Sequence, residues 1–482
     1  IMERTHMTTP SSNALQSPPG SRRTALKSCA SGFGYLAFAG IAHNAAAKEA
    51  SRRNGALDAQ ATHFPARAKR VIFLFMHGGP SQVDTFDYKP LLKRDHGKPL
   101  PFARPKVVSS ETFNLLQSPW AFKQYGQSGA WVSDLFPETA KCVDDMCFIK
   151  SMYGSNSRHG GALLELHTGS DTFIRPSIGS WVTYGLGTEN SSMPGFLTIC
   201  PTQSHGGANN FGSAFLPAPY AGTSIGSVGI PSRDAKIPFI SNAETPREIQ
   251  RKEIDYSQVL NRKQLELTGP DRALEGRIES FELAFRMQAE APDLQDLTKE
   301  TEATRKMYGL DDPVTEDFGR QCLMARRFSE KGVRFIQVSH TYKWDQHENL
   351  KRDHQQNAAE VDKPIAGLLR DLKARGLLED TLVLWAGEFG RTPTAQGSDG
   401  RDHNPEAFTV WMAGGGVKPG MSYGATDDYG YYSIENKVHF HDLHATMLHL
   451  LGLDHLRLTY RYAGRDFRLT DVHGNVVKGI LA

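Results

Sequence analysis

The sequence has 482 residues, with 55 Lys and Arg against 53 Asp and Glu, so its formal net charge is +2. This balance argues against a nucleic-acid-binding protein, which usually carries a strongly basic domain. Hydrophobic residues make up 39% of the chain, so we expect a globular protein with a large apolar core. The chain has only 5 Cys, too few for a disulfide scaffold at this length.

The N-terminal segment has the order of an export signal. Residues 1–20 are polar and expected to be disordered, and Arg22-Arg23 precedes a short apolar run at 32–42 and the triplet Ala45-Ala46-Ala47. A basic region, an apolar region and a small-residue cleavage site are typical of secretory signals, and paired arginines favour the twin-arginine export machinery. We expect residues 1–47 to be this signal and the mature protein to be periplasmic or secreted by a bacterium. The alternative is a solvated basic tail beside an apolar helix.

Residues 48–69 have no clear period and are expected to be a linker to one domain at 70–482. Five continuous apolar runs predict buried strands at 71–76, 147–149, 333–338, 381–385 and 407–412. Helices are predicted around 361–372, ending at Gly376, and at 442–451, ending at Gly452. Strands alternating with helices predict an α/β fold with a doubly wound, mostly parallel sheet.

Two segments differ from this alternation. Residues 242–310 are charged and rich in helix formers, and we expect a helical insertion there. Residues 185–235 are rich in Gly, Pro, Ser and Asn, and we expect long loops over one face. No apolar run reaches the roughly 20 residues that cross a bilayer, so no membrane span is expected.

Candidate metal ligands follow the predicted strands. Ligands of open α/β sheets bind beyond the carboxyl ends of strands, where imidazoles and carboxylates from several loops can converge on one ion. Ten of the 18 His lie after residue 339. Histidine-rich ligation favours zinc, with manganese and iron next and calcium as a further alternative. The candidate ligands are His77, Asp84, Asp345, His347, Glu388, His403 and His441.

Each cluster also has an ordinary interpretation by itself. Asp345 and His347 could form a hydrogen-bonded turn, and His77 could be a satisfied histidine at a strand end. Glu388 could pair with Arg391, and the last cluster could be a helix cap with surface histidines. Together, after successive strands, the clusters favour a metal site.

The chemistry predicted for such a site is ester hydrolysis. A metal polarises a phosphoryl or sulfuryl oxygen or lowers the pKa of a bound water, while Arg391 or Arg401 would neutralise an anionic substrate. A serine hydrolase is disfavoured because no G-x-S-x-G motif lies near a strand-to-helix turn.

At these residues the sequence resembles the bacterial family called domain of unknown function 1501, a branch of the alkaline phosphatase and sulfatase superfamily. The resemblance covers about residues 70–482 and implies that superfamily's doubly wound α/β core, with metal ligands at strand ends. The motifs that carry it are His77-Gly78-Gly79-Pro80-Ser81, Trp344-Asp345-Gln346-His347, Gly387-Glu388-Phe389-Gly390-Arg391-Thr392-Pro393, Gly400-Arg401-Asp402-His403 and His441-Asp442-Leu443-His444, with Gly464-Arg465-Asp466-Phe467.

The resemblance implies roles for several of these residues. Asp345 with His347 resembles the superfamily's Asp-and-His pair for one metal. Glu388 stands where another such pair is expected, with Phe389 in place of the histidine, and His403 would supply a later histidine. His77 and Asp84 occupy the loop in which the first strand normally delivers an aspartate.

The nucleophile motif of sulfatases, Cys-x-Pro-Ser-Arg or its Ser variant, has no counterpart. Aligning Ser157-Arg158 with its end places Gly154 in the nucleophile's slot, and aligning on Thr168-Gly169 places His159 there. Ser155 or Ser157 could substitute as the nucleophile, with metal-activated water as an alternative. The catalytic candidates are Ser157, His159 and, for charge neutralisation, Arg391. The predicted function is an exported, metal-dependent hydrolase of sulfate or phosphate esters of small molecules or polysaccharides. The alternatives are a non-catalytic protein that binds anionic glycans, and a site that serves only structural integrity.

Overall fold

The computed structural model describes residues 57–103, 112–238, 240–242, 244–269 and 271–482. The predicted export signal and the first part of the predicted linker lie outside these residues. The rest of the linker lies against the domain. The backbone amides of Gln60, His63 and Lys69 donate to the carbonyls of Leu186, Gly452 and Asp380.

The strands form one large sheet and several small ones. In chain order they are β1 (Arg70–Met76), β2 (Thr112–Leu115), β3 (Phe122–Tyr125), β4 (Ala130–Ser133), β5 (Met146–Tyr153), β6 (Phe196–Ile199), β7 (Thr223–Ile225), β8 (Phe335–His340), β9 (Thr381–Ala386), β10 (Gly390–Gln396), β11 (Gly400–Asn404), β12 (Phe408–Ala413), β13 (Met421–Tyr423), β14 (Ala425–Thr426), β15 (Ser433–Glu435), β16 (Val438–His439), β17 (Tyr460–Tyr462) and β18 (Arg465–Phe467).

The large sheet has nine strands in the order β13-β5-β12-β9-β1-β8-β6-β7, with β16 beside β5. β12 runs antiparallel to β5 and β9, whereas β1 is parallel to β8 and β9, and β6 is parallel to β8. It follows that β1, β5, β6, β8 and β9 all point in one direction, so their carboxyl ends meet at one edge of the sheet.

The α-helices of the described residues span Gln82–Thr85, Pro90–Arg94, His159–Thr168, Ile178–Leu186, Arg247–Thr268, Arg272–Gln295, Glu302–Met307, Glu316–Glu330, Leu350–Ala374 and Phe440–Leu450. Short 3-10 helices lie at Thr139–Asp145, Gly207–Asn210, Ala218–Tyr220, Leu297–Lys299 and Lys478–Ile480. Among these described helices, none has both the length and the apolar character that crossing a bilayer requires.

Helices cover both faces of the sheet. Side chains alternate between faces along a strand. Phe73 and Phe75 of β1 share one face, and their rings lie 5.7 and 4.8 Å from the ring of His167 in the helix His159–Thr168. On the other face His340, in register with Met76, packs its ring 5.4 Å from Phe318 of the helix Glu316–Glu330. The predicted doubly wound, mostly parallel α/β fold is therefore confirmed.

The segment at 185–235, predicted to be only loops, contains two short strands. β6 and β7 add two parallel strands to the sheet beside β8. β6 is completely buried, but its sequence signal is weak because the strand is only four residues long and is flanked by Gly and Pro. Its burial between neighbours in the sheet stabilises a strand that local sequence only weakly favours.

Candidate metal centre

The carboxyl-terminal edge of the sheet carries a cluster of His, Asp and Glu side chains. His77 follows β1, and His159 follows β5 as the first residue of the helix His159–Thr168. Asp345 and His347 follow β8, Glu388 follows β9, and His403 lies in the hairpin of β10 and β11. Parallel strands thus bring together residues that are far apart in the chain, as open α/β sheets do at their ligand sites.

The first ligand group consists of His159, Asp345, His347 and His403, each with one ligand atom within 4.8 Å of the others. The Oδ1 atom of Asp345 lies 2.9 Å from His347 Nε2 and 3.2 Å from both His159 Nε2 and His403 Nε2. Arg391 Nη2 also donates to this oxygen, at 2.6 Å. Four nitrogen atoms therefore surround one carboxylate oxygen.

In the rings of His403 and His347, the hydrogen bond at Nδ1 determines whether the other nitrogen, Nε2, carries a proton or a lone pair. The Nδ1 atom of His403 lies 2.7 Å from the backbone carbonyl of Ser157, which only accepts, so Nδ1 carries the proton. The Nδ1 atom of His347 lies 2.5 Å from Gln396 Oε1. In the neutral rings, Nε2 of each histidine is then the atom with the free lone pair, directed at Asp345.

This arrangement fits a divalent cation. A lone pair facing a carboxylate oxygen is repulsive unless a proton or a cation lies between them, and metal binding requires deprotonated imidazole and carboxylate. His159 Nε2 is buried and makes no aligned hydrogen bond, although it lies 3.2 Å from Asp345 Oδ1. Ligand atoms around a tetrahedral zinc ion, with bonds of about 2 Å, lie roughly 3.3 Å apart. The observed separations of 2.9 and 3.2 Å are close to that spacing.

The second ligand group is His77, His159 and Glu388, all of them buried. His159 Nδ1 lies 2.7 Å from Glu388 Oε1, and the backbone amide of Gly78 donates to both oxygens of Glu388, at 3.0 and 3.1 Å. His77 Nδ1 is buried and has no hydrogen-bond partner. His159 belongs to both groups, so its two ring nitrogens connect them.

The charges of the two groups shift the pKa values of their members. Burial opposes the ionisation of Asp345, but hydrogen bonds from His159, His347 and His403 hold its pKa far below the usual range. Burial likewise disfavours the charged form of His159, yet the carboxylates of Asp345 and Glu388 raise the pKa of this ring to about 9. For His77, burial dominates and lowers the pKa to about 4. The carboxylates are thus ionised and His77 is neutral at pH 7, as metal ligation requires. The carboxylate of Asp345 raises the pKa of His347 as well, so His159 and His347 must release a proton when a cation binds.

Two glycines allow the loops to approach each other this closely. Gly78 has φ +117°, and a Cβ there would lie 2.7 Å from the backbone nitrogens of Trp344 and Asp345. A Cβ on Gly400 would lie 1.7 Å from the carbonyl oxygen of His347. The loop after β8 is therefore packed directly between the loop after β1 and the hairpin that carries His403.

A family model described as a protein of unknown function, DUF1501, matches residues 68–481. The chain belongs to the DUF1501 family. The resemblance inferred from the motifs is confirmed. No curated protein matches the chain in sequence.

Solved structures that match this DUF1501 protein include sulfatases and members of the alkaline phosphatase superfamily. A sulfatase from Pseudoalteromonas sp. has 13% identity over 80% of this chain and 68% of its own, with a TM-score of 0.32. A lipoteichoic acid synthase from Listeria monocytogenes has 10% identity over 86% and 78%, with a TM-score of 0.34. An alkaline phosphatase superfamily protein from Vibrio parahaemolyticus has 9% identity over 83% and 70%, with a TM-score of 0.31.

Two predicted metal ligands lie outside both groups. The carboxylate of Asp84 pairs with Arg401, at 2.6 Å to Nε, and accepts the hydroxyl of Ser81. The ring of His441 lies 2.9 Å from the carbonyl of Gly169 through Nε2. Partners within the protein thus occupy the Asp84 carboxylate and the Nε2 atom of His441, and neither side chain joins the two ligand groups. Their role as metal ligands stays a prediction.

The predicted catalytic residues Arg391, Ser157 and His159 all lie at the centre, and their roles in catalysis stay predictions. Arg391 is completely buried and donates to the carbonyls of Gly78, Gly79, Trp344 and Arg401 as well as to Asp345, so it holds these loops together. Ser157 contacts the centre through its backbone carbonyl. His159 lies inside the centre, as a shared ligand candidate.

Two residues of the centre, His205 and Tyr342, were missed in the sequence. The ring of His205 stacks on His159 at 5.1 Å, and its Nδ1 lies 3.5 Å from His77 Nε2. The ring of Tyr342 lies 4.9 Å from His77. A signal for His205 was present: His77, His159 and His205 are each followed by two glycines and each follows a strand of the large sheet. It was overlooked because β6 was not recognised.

Proposed function

We propose that this chain is a metal-dependent hydrolase of sulfate or phosphate esters. The observation that carries the proposal is the convergence of the Nε2 atoms of His159, His347 and His403 on one oxygen of Asp345, beside the second group of His77 and Glu388. Zinc is the first metal to test, with manganese and iron next, because histidine predominates among the ligands. When bound, such a cation acts as a Lewis acid and lowers the pKa of a coordinated water.

The protein supplies the geometry and the charge balance. Arg391 orients Asp345, Gly78 orients Glu388, and the carbonyl of Ser157 orients His403, so these side chains are positioned before substrate arrives. His159 is the first residue of a helix, whose amino terminus carries a partial positive charge. A helix start favours anionic groups, which supports an anionic ester as the substrate class.

The test uses the purified full chain, metal analysis and two chromogenic esters, 4-nitrophenyl sulfate and 4-nitrophenyl phosphate. We expect a bound divalent metal and turnover of at least one ester that is lost on chelation and restored by zinc or manganese. Asp345→Asn should lower kcat by about a hundredfold or more, since removing even a residue that only supports a ligand costs roughly 10- to 100-fold. Asp466→Asn, in an exposed ion pair, is the control. Absence of metal, or turnover that is indifferent to chelation, would contradict the proposal.

A second candidate is binding of anionic glycans without catalysis. It is favoured by the two serines of the loop at 154–158, because the contacts of neither one direct a hydroxyl nucleophile at the centre. Ser155 Oγ lies 3.1 Å from His439 Nε2, and Ser157 contacts the centre through its backbone carbonyl. Metal-dependent binding of a sulfated polysaccharide, together with no turnover of either ester, would support this candidate over the hydrolase.

We also propose that the protein is exported through the twin-arginine machinery, on the basis of Arg22-Arg23 and the apolar run that follows. This location would give it access to sulfated or phosphorylated polysaccharides. Replacing both arginines by lysine should leave the protein in the cytoplasmic fraction of an expressing bacterium, whereas the unmodified chain is expected in the periplasm or the medium.

A further inference from the structure

The two arginines expected to neutralise an anionic substrate already have their hydrogen bonds within the protein. Arg391 and Arg401 are completely buried. The guanidinium of Arg391 donates to backbone carbonyls and to Asp345, and that of Arg401 to Asp84, Thr392 and Leu116. An ester with charged oxygens therefore needs other hydrogen-bond donors at this centre.

Tyr342 lies where such a donor is needed. The residue is 47% exposed, and its ring is 4.9 Å from His77, 5.1 Å from His205 and 5.9 Å from His159. Its hydroxyl lies 3.5 Å from Asp345 Oδ2, the oxygen of that carboxylate opposite the histidines. The side chain thus borders both ligand groups: its ring lies beside His77 and His159, and its hydroxyl makes one long contact, to Asp345.

The backbone holds Tyr342 and His205 in unfavourable conformations. Their φ angles are +50° and +48°, and Cys200 in the same loop as His205 has φ +48°. The two loops are fastened to each other, since Thr341 Oγ1 donates to the carbonyl of Cys200 at 3.0 Å. Left-handed conformations of non-glycine residues are costly and concentrate at functional sites. Here they turn both rings toward the same histidines.

We propose that Tyr342 is a substrate-binding residue whose hydroxyl donates to a non-bridging oxygen of the sulfate or phosphate group, with His205 forming the wall beside it. The substrate class rests on the proposed function. The role follows from chemistry: a phenol is a neutral donor, and a tetrahedral oxyanion next to two ligand groups presents acceptors only.

The test measures the affinity of the zinc-loaded full chain for inorganic phosphate and for inorganic sulfate by calorimetry. Tyr342→Phe removes the hydroxyl and keeps the ring, and it should weaken binding of the anion by about tenfold, as expected for loss of one hydrogen bond to a charged group. Tyr462→Phe is the matched control, because Tyr462 is 49% exposed and lies in the hairpin of β17 and β18. Metal content should be equal in all three proteins.

Equal anion affinity in Tyr342→Phe and wild type, or no anion binding by wild type, would overturn the inference. His205→Asn provides a second variant, since Asn tolerates the left-handed conformation, and it should also weaken binding. The proposed function fails in a different way: Tyr342-dependent phosphate binding by a protein that hydrolyses neither ester would sustain the inference and refute the hydrolase. Turnover with unchanged anion affinity in both variants would do the reverse.

Discussion

Asp84 and Arg401 form an ion pair in which neither side chain is exposed to solvent. The guanidinium donates to both carboxylate oxygens, at 2.6 and 3.2 Å. Burial opposes ionisation of Asp84, but Arg401 keeps its pKa below the usual value. Two desolvated charges that satisfy each other need not stabilise a fold, yet removing one of them leaves the other uncompensated.

Asp84→Asn should therefore lower the free energy of unfolding by about 3 to 5 kcal/mol, the cost of breaking a buried pair. Denaturant titration measures this. The control is Asp466→Asn, which breaks the exposed pair with Arg461 and should cost less than about 1 kcal/mol. Equal effects of the two substitutions would show that Arg401 finds another partner and that the buried pair contributes no more to the free energy of unfolding than the exposed one.

His444 gives a prediction for pH. It is buried, its Nε2 lies 2.7 Å from the carbonyl of Leu166, and its Nδ1 has no partner. Burial lowers the pKa of this ring from 6.5 to about 3 in the folded state. The unfolded chain therefore binds the proton first as pH falls below about 6.5, so stability is complete above that pH and decreases toward pH 3.

At pH 5 this difference amounts to a loss of about 2 kcal/mol relative to pH 7. His444→Gln cannot titrate, so its free energy of unfolding should decline less between pH 7 and pH 5 by about that amount. His473→Gln, which replaces an exposed ring, serves as the comparison and should follow wild type. If His444→Gln and wild type have parallel pH profiles, the buried ring is not the source of the dependence.

Among the elements, the hairpin of β10 and β11 determines how His403 meets the loop after β8. Gly400→Ala would place a methyl group 1.7 Å from the carbonyl of His347, which backbone movement alone can relieve. We expect a loss of stability of a few kcal/mol, as for other overpacked sites, and weaker metal binding because His347 and His403 separate. Unfolding curves and zinc titrations of the variant measure the two effects.

Gly160→Ala is the matched control at a glycine of the same centre. It follows His159 directly in the helix His159–Thr168, and a Cβ there would meet nothing within 4 Å. Alanine is the better helix former by about 1 kcal/mol, so this variant should be as stable as wild type or more stable, with unchanged zinc affinity. If Gly400→Ala binds zinc as tightly as Gly160→Ala, the position of the hairpin does not determine metal affinity.

Long apolar runs made the buried strands and the fold class predictable, because β1, β8 and β9 are rich in apolar residues, are almost completely buried and end at polar loops. The four residues of β6 were missed, since pairing with β8 and burial stabilise them more than local sequence does. The error propagated to the site: without β6, His205 lay in an apparent loop. The ion pair of Asp84 was not predictable either, because no sequence pattern reveals that Arg401, far along the chain, binds its carboxylate.

At the scale of the whole molecule, the candidate centre joins segments that are remote in sequence. Its ligand candidates come from the loops after β1, β5, β8 and β9 and from the hairpin of β10 and β11. Those loops approach one another only in the folded chain, so a cation bound there binds the native state and not the unfolded one. Such linkage stabilises a protein in proportion to the logarithm of ligand concentration over its dissociation constant.

Removing the metal should therefore lower the midpoint of thermal unfolding by several degrees. At a free zinc concentration one hundred times the dissociation constant, bound metal contributes about 2.7 kcal/mol. Differential scanning calorimetry of the chelated and zinc-restored protein measures the shift, and Asp345→Asn should show almost none because it loses the negative charge on which three histidines converge. A wild-type midpoint that does not respond to chelation would mean that the histidines and carboxylates of this centre are satisfied by protons alone. In that case His159, with its pKa raised to about 9 between two carboxylates, would be an imidazolium that completes a structural ion-pair network.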